Sequence, residues 1–125
     1  MVQDIALLIL RIFLGMGFII HGWPKIKDLK GTANYLQSIK IPFPFVAAFL
    51  LAAAEFFGGI LVLIGLFAQI AAYLQAFAML VAIITHIKQG DKFKQGWEVP
   101  ASYMIIAIAI ALLGAGQYSI SYYFN

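Results

Sequence analysis

Residues 45–66 read FVAAFLLAAAEFFGGILVLIGL, an apolar run that contains a single charged residue, Glu55. About 20 helical residues cross the hydrocarbon core of a bilayer, so this run is long enough to span a membrane. A charge at the centre of such a helix costs roughly 2.5–3.5 kcal/mol on insertion scales, and it normally faces a bundle interior or a cavity. The run therefore predicts a membrane helix with a buried polar site at Glu55.

Three other segments have the same apolar character. The predicted spans cover residues 5–21, 45–66, 69–86 and 99–113. They are too long and too uniformly apolar for strands, and four strands would not close a transmembrane barrel. Only Phe67 and Ala68 separate the second span from the third, which indicates a tight turn between antiparallel neighbours. The sequence predicts one domain over residues 1–125, an all-α antiparallel bundle of four transmembrane helices.

The composition supports a membrane protein and excludes several other classes. Hydrophobic residues make up 64% of the chain and charged residues 10%, against about half and a quarter in soluble domains. Lipid must therefore replace water around most of the surface. Cysteine is absent, which excludes disulfides, thiol chemistry and thiolate metal sites. The net charge of +3 comes from lysines in loops that form no basic stripe, so nucleic acid is not an expected partner.

The lysines predict an orientation in the membrane. The loop after the first span carries Lys25, Lys27, Lys30 and Lys40, and the loop after the third span carries Lys88, Lys92 and Lys94. Basic residues accumulate in cytoplasmic loops of membrane proteins. The pattern predicts a multi-pass protein of the inner (plasma) membrane, with both lysine-rich loops in the cytoplasm and both termini outside.

The first of these loops also contains a candidate interfacial helix. Thr32 can cap a short helix over Ala33–Lys40, which would place Leu36 and Ile39 on one side. Such an amphipathic helix would lie on the membrane surface.

Helical rise converts sequence spacing into depth. Arg11 lies ten residues before His21, and Glu55 lies eleven residues after Pro44. At 1.5 Å per residue, both charges would sit roughly 15–16 Å from the cytoplasmic boundary, and Gln75 would lie at a similar level. We expect Arg11 and Glu55 to form a buried ion pair.

A second polar layer is expected at the cytoplasmic ends of the spans. It consists of His21 and Lys25 on the first span, His86 on the third and Glu98 at the start of the fourth. With the deeper pair, these residues describe a polar funnel that opens to the cytoplasm. Simpler interpretations stay open: a static clamp for the Arg11–Glu55 pair, an ordinary interfacial role for the two histidines, and favourable interaction with the dipole of its own helix for Glu98.

The order of these residues resembles the DoxX family of small four-helix membrane proteins. The matching stretches are Leu10-Arg11, His21-Gly22-Trp23-Pro24-Lys25, Glu55-Phe56-Phe57-Gly58-Gly59, His86 with Gly90, Gly96-Trp97-Glu98, and Gly114-Ala115-Gly116. The chain departs from the family at its tail. Relatives often continue with a basic residue and a Ser-x-Asp, whereas this chain reads Gln117-Tyr118-Ser119-Ile120-Ser121.

The resemblance implies an inner-membrane protein whose relatives include subunits linked to quinol oxidation and thiosulfate:quinone oxidoreductase activity. The first hypothesis is therefore a redox-associated subunit that binds a quinone-like amphiphile in the funnel. Arg11 would donate a hydrogen bond to a quinone carbonyl, and Glu55, His86 and Glu98 would relay protons. The chain has no recognisable flavin, nicotinamide or cluster motif, so the isolated chain is not expected to be an enzyme and electrons would come from a partner.

Three alternatives remain. The first is a non-catalytic assembly subunit, acting with a protein partner or as a homo-oligomer, in which the buried pair only fixes helix register. The second is a proton or small-solute permease, although four short helices enclose little space without oligomerisation and no inverted repeat is apparent. A metal or haem held by His21, His86 and Glu98 is the least supported, because these residues come from three segments without diagnostic spacing.

Overall fold

The computed structural model describes residues 1–124, and it confirms an all-α fold with no strand among them. Its helices are α1 (Val2–Lys27), α2 (Leu29–Ser38), α3 (Pro44–Ile64), α4 (Ala68–Lys88) and α5 (Glu98–Leu113). A short π-helical stretch, Phe93–Trp97, leads into α5, and a 3-10 turn covers Ser121–Phe124. Four segments are long and apolar enough to cross a membrane: α1, α3, α4, and α5 together with the π-helical stretch.

The first helix extends beyond its predicted end at residue 21. It continues through Pro24 to Lys27, because a proline removes only its own N–H bond and the next turn can re-form. The backbone N–H of Asp28 donates to the carbonyl of Pro24 at 3.1 Å, which closes this last turn. The polar end of α1 is therefore helical, and α1 ends about 9 Å further from Arg11 than the predicted span.

The short helix α2 forms, but its start differs from the prediction. Asp28 is the N-cap, and its side chain accepts a hydrogen bond from the N–H of Gly31 at 2.9 Å. The hydroxyl of Thr32 instead donates to the carbonyl of Asp28. An Asp is as good an N-cap as a Thr or better. The apolar side of α2 packs through Leu36 against Ala48 of α3.

Helices α1 and α3 form the closest contact in the bundle, and glycines determine it. A Cβ atom added to Gly15 would lie 2.8 Å from the carbonyl oxygen of Gly59, and one added to Gly22 would lie 2.6 Å from the backbone nitrogen of Phe56. The backbones touch at both points without intervening side chains. Later residues of α1 face earlier residues of α3, so the helices are antiparallel and their register is fixed.

The other side of the bundle packs α4 against α5. The shared core contains small and aliphatic residues, among them Leu14, Phe18, Val62, Ala72, Ala107 and Ile110. After α5 the chain folds back over the end of α3. The N–H of Ile120 donates to the carbonyl of Ile64 at 3.0 Å, and the N–H of Gln117 donates to the carboxylate of Asp4 at 2.9 Å.

Candidate functional site

Arg11 is buried, with 1% of its surface exposed, and it binds backbone carbonyls rather than an acid. Its Nε donates to Val62 at 3.0 Å and its Nη2 to Leu63 at 2.8 Å, both in the last turn of α3. Its Nη1 donates to the carbonyls of Ala115 at 3.1 Å and Tyr118 at 2.8 Å. Carbonyls in the last turn of a helix have no partner within that helix. The guanidinium supplies these donors where lipid excludes water.

The expected Arg11–Glu55 ion pair is therefore wrong. Glu55 lies level with Gly22 of α1, because a Cβ on Gly22 would be 3.0 Å from the Cβ of Glu55. Arg11 lies eleven residues earlier on α1, roughly 16 Å away along the helix axis. The depth estimate failed because it measured from His21, whereas the glycine contacts set the register of α1 on α3.

Glu55 instead forms an ion pair with Lys25, through Oε2 and Nζ. The carboxylate is 2% exposed and the lysine side chain is 31% exposed, so the pair is accessible from the lysine side. A buried carboxylate needs a partner to remain charged at this depth. Lys25 supplies the partner because its four-carbon stem can reach inward from the last turns of α1.

Two aromatic contacts involve residues close in sequence to Lys25 and Glu55. His21 precedes Lys25 by four residues and therefore lies on the same face of α1, where its ring contacts Tyr103 of α5 edge-on with 5.9 Å between centroids. On the other side of Gly22, the rings of Trp23 and Phe56 are 5.6 Å apart. The site is a polar group between two aromatic surfaces at the lysine-rich end of the bundle.

Gln75 is fully buried between α3 and α4. Its Nε2 donates a long hydrogen bond, 3.4 Å, to the carbonyl of Ala54, the residue before Glu55. Among the described residues, its Oε1 is the buried side-chain N or O atom that has no hydrogen-bond partner. Gln75 therefore links α3 and α4, and one acceptor remains for a water molecule or a ligand donor.

The second polar layer is only partly assembled. His86 pairs through Nδ1 with Oδ2 of Asp91 at 2.7 Å, whereas His21 contacts Tyr103. Glu98 is exposed at the start of α5, where its backbone carbonyl accepts from Ser102. Within residues 1–124 there is no group of three His, Asp or Glu side chains placed to hold a metal ion. The set His21, His86 and Glu98 is not brought together as a metal site.

The sequence reasoning missed Tyr103 and Asp91, and it did not anticipate that Lys25 pairs with Glu55. The spacing of His21 and Lys25, four residues apart, was the available signal for a shared helix face. Asp91 follows His86 across the end of α4, and only the turn at Gly90 brings the two side chains together. The role of the tail carbonyls in binding Arg11 had no sequence signal, because backbone groups are present at every residue.

Comparison with known proteins identifies the family. The DoxX family model matches residues 6–87, about two thirds of the chain. The chain belongs to the DoxX family. The match covers Arg11, Lys25, Glu55, Gln75 and His86, while α5 and the tail lie outside it. With four apolar helices, this DoxX protein is a multi-pass membrane protein.

Three curated relatives are similar over much of their length. "Putative oxidoreductase CatD" of Bacillus subtilis is 34% identical over 90% of this chain and 81% of its own. "Inner membrane protein YqjF" of Escherichia coli is 29% identical over 98% of this chain and 95% of its own. "Inner membrane protein YphA" of Escherichia coli is 37% identical over 67% of this chain and 61% of its own. These names support an inner-membrane location. No solved structure matches the chain significantly.

Proposed function

We propose that this DoxX protein is a ligand-binding, accessory component of a membrane redox system, and that it binds a quinone-like amphiphile at the Lys25–Glu55 pair. The observation that carries the proposal is the asymmetry of this pair, in which the carboxylate is buried and the ammonium is partly exposed. A quinone carbonyl requires a hydrogen-bond donor inside lipid, and the exposed N–H groups of Lys25 are such donors. The name of the relative CatD supports a redox context.

The neighbouring residues fit the two other needs of a quinone-like ligand. Its ring needs an apolar or aromatic surface, and the Trp23–Phe56 and His21–Tyr103 contacts flank the pair. The oxygens of the ligand exchange protons when it is reduced, and His21, whose imidazole can donate or accept a proton, lies on the same face of α1 as Lys25. In this proposal the chain binds the ligand and supplies protons, and a partner protein supplies electrons.

An equilibrium binding measurement tests this function. The full chain in lipid nanodiscs would be titrated with a short-chain ubiquinone or menaquinone analogue. We expect saturable binding that Lys25→Met and Glu55→Gln each weaken about tenfold, as for the loss of one charge-assisted hydrogen bond. Lys30→Met is the matched control, because Lys30 lies on α2 away from the pair. Absence of saturable binding, or equal binding by Lys25→Met and the wild type, would contradict the proposal.

A non-catalytic assembly subunit is the second candidate, and the Arg11 contacts favour it. All four hydrogen bonds of Arg11 end on carbonyls of the same chain, so its role in fixing α1, α3 and the tail needs no ligand. Purification in a mild detergent separates the candidates. A stable complex with a second protein or with further copies of the chain would support this role, whereas a lone species would argue against it.

A further inference from the structure

A cavity of about 590 Å³ lies where the end of α2 meets the end of α4, away from the Lys25–Glu55 pair. We call it the basic cavity; its lining includes Lys40, Ile41, Val81, Ile84, Thr85 and Lys88. Its volume lies within the range of roughly 300–1,000 Å³ that is usual for small-ligand sites. Both lysine-rich loops border it, so they share one end of the bundle.

The basic cavity is itself amphipathic. Val81 and Ile84 belong to the membrane-spanning part of α4 and form an apolar wall, together with Ile41. Lys40 and Lys88 lie at its polar edge, and no acidic residue among residues 1–124 lines it. A ligand that fits has a negative group at the membrane surface and an apolar part directed into the bilayer.

The charges at the edge are available to a ligand. Within residues 1–124, neither Lys40 nor Lys88 forms a salt bridge. The nearby carboxylate of Asp91 is engaged by His86. The hydroxyl of Thr85 donates to the carbonyl of Val81 at 2.9 Å. The ammonium groups are therefore the principal donors for an anion in the basic cavity.

The backbone at Lys40 is a second, independent observation. Three helices of this chain end in the same hydrogen-bonded turn, the Schellman motif, in which one residue adopts a left-handed conformation. Gly65 after α3 has φ +75° and Gly90 after α4 has φ +83°, as expected for a position that disfavours a Cβ atom. After α2 the same position holds Lys40, with φ +65°.

Lys40 therefore occupies a strained conformation that glycine would adopt more easily. Strain of this kind persists where a side chain has a function or the surroundings enforce it. The helix end alone does not need a lysine, because glycine serves at the two other ends. Lys40 lines the basic cavity together with Lys88.

We propose that the basic cavity binds the phosphate headgroup of an anionic phospholipid, with Lys40 and Lys88 contacting the phosphate and the apolar wall contacting the upper acyl chain. The occupant is a lipid rather than free phosphate, because four of the nine lining residues are aliphatic and two of these, Val81 and Ile84, belong to a membrane-spanning helix. The site is distinct from the proposed quinone site.

Native mass spectrometry of the full chain, released from nanodiscs of mixed phosphatidylglycerol and phosphatidylcholine, tests the assignment. We expect the wild type to retain phosphatidylglycerol in preference to phosphatidylcholine. Lys40→Gly and Lys88→Gln should each reduce this retention about fivefold, the effect of one lysine near an anionic lipid surface. Lys94→Gln is the matched control, since Lys94 does not line the basic cavity, and it should leave retention unchanged.

The Lys40→Gly variant separates binding from folding. Glycine relieves the left-handed strain, so the melting temperature should stay constant or rise while phosphatidylglycerol is lost. Equal retention of the two lipids by the wild type, or unchanged retention in Lys40→Gly, would overturn the proposal. Inorganic phosphate should not displace the lipid at a concentration at which short-chain phosphatidylglycerol does. Displacement by both equally would overturn the assignment to a lipid.

Discussion

Arg11 donates from Nε to the carbonyl oxygen of Val62 at 3.0 Å, in the last turn of α3. This contact places a cation at the negative end of a helix dipole, where it is favoured. It also gives the Val62 carbonyl a second donor, beside the N–H of Gly65 at 3.2 Å. Together with the other carbonyl contacts of Arg11, it links α1, the end of α3 and the tail. The charge of Arg11 therefore needs no acidic partner.

Replacing Arg11 should destabilise the fold without affecting Glu55. Arg11→Met leaves buried carbonyls without donors, and we expect a loss of at least about 2 kcal/mol in the free energy of unfolding. Arg11→Lys should recover only part of this loss. An ammonium keeps the charge, but it has fewer N–H donors than a guanidinium and lacks its planar fork. Unfolding in detergent micelles measures both. The Arg11→Met/Glu55→Leu double variant should show additive losses within about 0.5 kcal/mol; a larger coupling would mean that the two charges interact.

The Lys25–Glu55 pair should show the coupling that Arg11 and Glu55 lack. Lys25→Met alone leaves the carboxylate buried without a partner, and we expect destabilisation of about 3 kcal/mol. In the double variant Lys25→Met/Glu55→Leu, the buried charge is gone and much of the stability should return. A double-mutant cycle on unfolding free energies checks this. Additive effects of the two substitutions would contradict the ion pair.

Adjacent glycines on α3 should respond differently to the same substitution. A Cβ on Gly59 would lie 2.9 Å from the backbone carbonyl oxygen of Gly15, whereas a Cβ on Gly58 would lie 2.9 Å from Nε2 at the end of the Gln75 side chain, which can move more easily than a backbone. Gly59→Ala must push two helices apart, so it should cost about 1–3 kcal/mol of stability. Gly58→Ala is the matched control and should cost less. Thermal denaturation of both variants compares them, and equal costs would place the close helix contact elsewhere.

The orientation of the protein in the membrane can be tested directly, because the chain contains no cysteine that would react with a thiol reagent. We expect a Lys94→Cys variant to react with a membrane-impermeant maleimide only after the cells are permeabilised, since the lysine-rich loops should be cytoplasmic. A Gln117→Cys variant, at the opposite end of the bundle, should react in intact spheroplasts. Mass shifts on gels measure the labelling. The reverse pattern would show that the bundle is inverted.

The positions of the helices can be predicted from the sequence, but the register in which they pack against each other cannot. Apolar length located α3 and α4 to within two residues, because the hydrocarbon thickness sets the number of residues. The pairing of Glu55 could not be obtained from depth alone. Its level depends on where Gly22 meets α3, and a contact between glycine backbones leaves no charge or hydrophobic period in the sequence. The sequence places Lys25 in the second polar layer, but the direction of its side chain towards Glu55 depends on how α1 packs against α3.

The contacts of Arg11 have a consequence for how the protein is made. Two of its four acceptors lie 104 and 107 residues further along the chain, and the other two lie 51 and 52 residues away. The guanidinium thus enters the bilayer with α1, before the last two of its acceptors have been synthesised. A chain truncated before Tyr118 would lack one of these acceptors and would keep an incompletely solvated cation in the membrane.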